Sequence, residues 1–369
     1  MNPLSLYELH HALGAQFSEL SGAQLVRDYG NPAAEDSALR EHAGVMDLSF
    51  RSRLCLIGAD RARYLHGQVT NDVKKLRPGE GCYSAVTTSK GKMESDLNIF
   101  CLPDELLLDF EPGLTGKISA RLEKFIVADD VQIVDAAPHY GLLSVQGPKA
   151  EAVVRAIGLF MELPLQPFAS LKVSEAMLGE IYLANHSRLD LTRARGFDLF
   201  VPNPSLGAVA DKLIAAAKSA GGGAVGWTAW ETTRIEAGIP RFGADMDETN
   251  IPLECGIESR AIVYNKGCYI GQEVINRIHS IGHVNRELRG LRLADNLPAL
   301  PSRGDRLFHA GKEIGLVTSA VKSPGFGNIA LGYVRREANQ IGSELALRTA
   351  AGDSSAKIVE LPFIPKPKS

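Results

Sequence analysis

At 369 residues the chain exceeds the usual size of one domain, and two or three are expected. Its 45% hydrophobic and 22% charged residues are the balance of an ordinary soluble globular protein, and no apolar run approaches the ~20 residues of a membrane span. The formal net charge of −3 gives no overall attraction for nucleic acid or anionic lipid, and the first eleven residues carry no charged-then-apolar leader. A cytoplasmic protein is expected, with no nucleic-acid and no membrane partner.

In chain order, residues 53–57 read as a strand ending at Gly58. Residues 61–76 carry Tyr64, Leu65, Val69, Val73 and Leu76 at near-helical spacing and stop before Pro78-Gly79, so the spacing predicts a helix. Three strand-like runs follow at 82–88, 93–102 and 105–110, separated by Lys90-Gly91-Lys92 and Pro103-Asp104. Residues 114–125 read as a helix and 131–134 as a strand. The order implies an antiparallel sheet covered by helices, an α+β unit related to split βαβ domains. A second such unit has strands at 139–145, 180–183 and 197–201, with helices at 149–157, 206–220 and 227–237. Gly221-Gly222-Gly223 reads as a helix-end loop, since no phosphate-loop pattern follows it. From about residue 286 six short strands (288–293, 306–309, 315–321, 328–334, 345–347 and 357–359) predict a terminal β-barrel or sandwich.

The five cysteines, Cys55, Cys82, Cys101, Cys255 and Cys268, are odd in number and show no C-x-x-C pair. That argues against a disulfide framework, a zinc site and a four-thiolate cluster, and no metal ligands are assigned. Cys55 and Cys101 sit in apolar strand-like runs and read as core. Cys268 differs. It lies in Lys266-Gly267-Cys268-Tyr269-Ile270-Gly271-Gln272-Glu273, a glycine-flanked turn ahead of a helical spacing at Val274, Ile275 and Ile278. A lysine and a helix start beside a thiol both stabilise negative charge, so Cys268 with Lys266 is the candidate reactive group.

This octapeptide resembles the K-G-C-Y-x-G-Q-E signature of the YgfZ-type folate-binding proteins, relatives of the aminomethyltransferase (T-protein) of the glycine cleavage system. Glu231 to Pro240 resembles the R-x-E-A-G-x-P segment of both branches, and Gly243 with Asp245 their G-x-D. Ser144 to Ala150 resembles their Q-G-P-x-A turn, and Thr70-Asn71-Asp72 their T-N-D. Together the matches run from about residue 40 to 340. The resemblance implies an α+β fold, a T-protein-like ring of two α+β domains plus a C-terminal all-β barrel. On that pattern a discontinuous first domain (1–52 and 139–285) encloses a second (53–138), and the barrel occupies 286–369.

The resemblance also implies tetrahydrofolate as the bound small molecule. Such a ligand needs aromatic faces and a carboxylate for the pterin nitrogens. Tyr83 matches the family's Y-S strand, Asp96 the second aspartate of its D-D-L segment, and Phe100 a position often held by tyrosine. Trp230 and Phe242 flank the R-x-E-A-G-x-P segment. Asp96 within an apolar strand also stands out by itself, because a buried carboxylate is costly without a partner. Arg234 and Glu236 are expected to make separate buried ion pairs. T-proteins carry acidic residues where this chain has Ser95 and Ala194-Arg195, which argues against aminomethyl transfer. The expected function is therefore folate binding in support of iron–sulfur cluster assembly or repair through Cys268, with transient iron–sulfur client proteins as partners. The alternatives are a folate-dependent aminomethyltransferase or other one-carbon transferase, and a non-catalytic folate-binding scaffold.

Overall fold

The structure, a computed structural model, describes residues 3–189 and 196–364. The chain divides into two compact units, Met1–Ser84 with Leu97–Trp230, and Ala85–Asp96 with Glu231–Ser369. Among the described residues no helix is long and apolar enough to cross a membrane.

The first unit holds a six-stranded sheet in the order Ser170–Glu175, Gly179–Asn185, Phe197–Pro202, Tyr140–Gln146, Gly44–Asp47 and Gly223–Ala224. Its pairs are antiparallel except the last, which is parallel. The period of two in Tyr140–Gln146 sends Leu143 and Val145 to a core with helices Ala150–Ala156 and Leu206–Ser219. Leu142 goes to the opposite face, into a cluster with Met46, Phe200, Cys55, Phe100 and Trp230. Ser144 and Gln146 follow Leu142 and are buried polar residues. A five-stranded sheet runs in the order Gly81–Thr87, Met93–Cys101, Leu106–Phe110, Ser52–Ile57 and Gln132–Asp135.

Most strand expectations hold within a residue or two, but the helix expected over 61–76 does not. The helix is Arg61–His66, followed by a 3₁₀ turn at Val73–Lys75. Side-chain bonds draw the segment between them onto a strand: Ser84 Oγ accepts from the Asn71 N–H at 2.8 Å, and the Tyr83 carbonyl from Asn71 Nδ2 at 2.8 Å. These bonds also give the T-N-D and Y-S motifs a structural role. Residues 1–52 contain elements that the hydrophobic pattern does not announce, including helix Pro32–Glu41, whose Asn31 side chain caps the Ala34 N–H.

In the second unit the six predicted C-terminal strands close into a barrel, in the order Arg286–Leu293, Gly327–Arg335, Lys312–Ser323, Arg306–His309, Glu344–Thr349 and Gly352–Val359. Pairing of the first with the last completes it, and Leu291, Leu307, Val317, Val334, Leu347 and Ile358 fill its interior. The fold is therefore the expected one, α+β with a C-terminal all-β barrel.

Candidate functional site

The first unit concentrates its polar chemistry where the two sheets share a core. Asp109, in the otherwise apolar strand Leu106–Phe110, is fully buried. It accepts from Arg51 Nε at 2.8 Å, Asn98 Nδ2 at 2.9 Å and Arg188 Nη2 at 2.8 Å. Arg188 also reaches Asp198, which takes a second bond from the Ser144 hydroxyl and a third from His186 Nδ1, each at 2.8 Å. Burial pushes both carboxyls upward in pKa. At Asp109 the guanidinium groups of Arg188 and Arg51 outweigh it, and at Asp198 Arg188 and His186 do, so both stay ionised below their usual values. His186 is held below its usual value by burial first and Arg188 second, against the pull of Asp198. Gln146 braces the assembly: its amide donates to the His186 carbonyl at 3.0 Å and accepts the Arg188 N–H at 3.0 Å. A Cβ at Gly196 would fall 2.1 Å from Gln146 Oε1, so a side chain there would displace the Gln146 amide from its bonds.

An aromatic wall adjoins this network. His186 lies 4.8 Å from Phe168 and 5.9 Å from Phe100 between ring centroids, and Phe200 meets Phe100 edge-on at 5.5 Å. Phe168 is half-buried and has a φ of 62°, a left-handed conformation that a bulky side chain rarely adopts. Its N–H donates to the Asn185 carbonyl at 2.8 Å, and Asn185 Nδ2 donates to the carbonyls of Pro164 and Leu165 at 3.0 Å. These bonds pin the turn.

Of the nominated aromatics, Tyr83 is 8% exposed, Phe100 0%, Trp230 6% and Phe242 4%, so all four are largely packed. Phe100 and Trp230 share one apolar cluster in the first unit, whereas Phe242 bridges to Met246 in the second. Asp96 is half-buried on strand Met93–Cys101, and the alternation puts it on the same strand face as Phe100. Ser95 points the other way, is fully buried, and donates to the Asp96 carbonyl at 2.9 Å. The substitution at Ser95 is thus on the inward side of the strand. The positions compared at Ala194 and Arg195 lie outside the described residues. Sequence reasoning missed Asp109, His186, Arg188 and Phe168. A carboxylate within Leu-Leu-Leu-Asp-Phe was a signal of the kind that singled out Asp96, and it would have found Asp109.

In the second unit Cys268 is exposed, whereas Lys266 is buried and lays its Nζ over the Tyr269 ring at 4.9 Å. Helix Gln272–Ile281 begins after Gly271, which has a φ of 90°. A Cβ there would lie 2.6 Å from both Thr87 Oγ1 and the Thr88 carbonyl, and Thr87 Oγ1 donates to the Ile270 carbonyl at 2.7 Å. The octapeptide is therefore also a packed joint, in which Gly271 serves a close backbone approach. Arg234 is buried against Asp245 and Glu231, and it donates to Ser319 Oγ at 2.8 Å. Asp245 accepts further bonds from Thr318 at 2.6 Å and Ser319 at 2.7 Å. Glu236 accepts from the Ser323 hydroxyl. The R-x-E-A-G-x-P and G-x-D segments thus tie a helix end to the barrel strands.

The GCVT N-terminal domain matches residues 6–266, and the glycine cleavage T-protein C-terminal barrel domain matches residues 286–364. The chain belongs to the glycine cleavage T-protein family. It is 28% identical over 364 residues to an aminomethyltransferase of Shouchella clausii, covering 98% of each chain. With an aminomethyltransferase of Halalkalibacterium halodurans it shares 29% over 363 residues, covering 97% of this chain and 96% of the relative. The crystal structure of the glycine cleavage system aminomethyltransferase T from Bartonella henselae shares the fold, with a TM-score of 0.89 at 24% identity over 99% of this chain and 98% of that one.

Two expectations are corrected by these matches. The placement in the YgfZ branch is overturned, because the full-length relatives are aminomethyltransferases. The iron–sulfur assembly function falls with it, as do the iron–sulfur client partners. The physical reason lies in the octapeptide, whose glycine has a packing role of its own, so the motif does not require a dedicated metallocluster chemistry. The argument against aminomethyl transfer from Ser95 also loses its force, since that side chain is turned inward.

Proposed function

We propose that the chain is a folate-dependent aminomethyltransferase, which moves the one-carbon unit of an aminomethyl group to tetrahydrofolate. The observation that carries this reading is end-to-end correspondence: aminomethyltransferases at 28–29% identity span 96–98% of their own length against 97–98% of this chain. Tetrahydrofolate is the carbon acceptor of this reaction. Its pterin needs a carboxylate for its nitrogens and a flat apolar neighbour. Asp96, half-buried on strand Met93–Cys101, supplies the carboxylate. In this role the Asp96 carboxylate accepts a nitrogen-bound proton as the carbon is transferred.

The test is turnover with an aminomethylated lipoyl carrier and tetrahydrofolate, together with the Asp96→Asn variant. Replacing the carboxylate by an amide removes a charge-assisted hydrogen bond worth roughly 1.5–3 kcal/mol. Tetrahydrofolate affinity should fall by about ten- to a hundred-fold, and turnover should fall with it. An unchanged affinity and rate in the folded variant excludes Asp96.

A further inference from the structure

We draw no further inference here: the strongest candidate, the cavity of the first unit between the Ser21-Gly22 hairpin turn, residues 49–52 and the start of helix Thr115–Glu123, carries nothing, because its Ser49, Ser52 and Thr115 hydroxyls are bonded within the fold and the helix N-terminus beside them has no second observation that points to a ligand.

Discussion

Arg234 shows how completely a single guanidinium can be committed. Its partners are Asp245, Glu231 and the Ser319 hydroxyl, and its side chain is buried. Removing it strands the Asp245 carboxylate in a low-dielectric site, so Arg234→Ala should destabilise the protein by about 3–5 kcal/mol in denaturant unfolding. Arg234→Lys should recover little, because an ammonium cannot reproduce the planar fork. The cysteines give a second test at this scale. Burial raises the Cys55 and Cys101 thiols above their ordinary range and pushes Cys255 up to about 12. Cys268 is exposed and Cys82 half-buried. Alkylation followed by mass spectrometry should therefore modify Cys268 first and Cys255 last. Labelling of Cys268 no faster than Cys55 would contradict the exposed turn.

At the scale of elements, the joint at Gly271 is the most sharply constrained. Both its φ of 90° and the 2.6 Å approach of a Cβ to the Thr88 carbonyl exclude a side chain. Gly271→Ala should lower stability by roughly 1–3 kcal/mol and reduce helicity of Gln272–Ile281, measured by circular dichroism during unfolding. Unaltered stability would mean that the joint can shift at no cost. The barrel strands were legible in the chain because alternating apolar residues and glycine turns report a surface with one buried side. The break after His66 was not, because near-helical apolar spacing continues through it and only the Asn71 contacts to Tyr83 and Ser84 reveal where the segment goes. The polar network of the first unit was hidden in the sequence. His186, Arg188 and Asp198 lie within a dozen residues, yet their meeting depends on strand pairing, and the φ of Phe168 has no sequence signal. The octapeptide misled for a related reason: a glycine demanded by packing looks the same in sequence as one demanded by chemistry.

For the molecule as a whole, buried carboxylates set the response to acid. Asp109, Asp198 and Asp245 are fully buried, and each is held below its ordinary value despite burial, by Arg188 and Arg51, by Arg188 and His186, and by Arg234 respectively. A depressed folded pKa gives stability that is complete above the unfolded value, near 3.9, and is lost as pH falls towards the folded value. His186 begins the loss earlier. Its folded pKa lies below the ordinary 6.5, so between the two values the unfolded chain binds a proton that the folded chain does not. Stability from urea titrations should therefore decline gently below about pH 6.5 and steeply below about pH 4, and His186→Phe should flatten the first decline. A stability that rises on acidification through this window would contradict the burial of these groups.

The role proposed for tetrahydrofolate is that of carbon acceptor in an aminomethyl transfer. The most direct measurement is ammonia release from an aminomethylated lipoyl carrier by the purified full-length chain, with and without tetrahydrofolate. Release should depend on tetrahydrofolate, saturate with it, and be matched by formation of the one-carbon folate. No release above the enzyme-free rate, under conditions where tetrahydrofolate is bound, would contradict it.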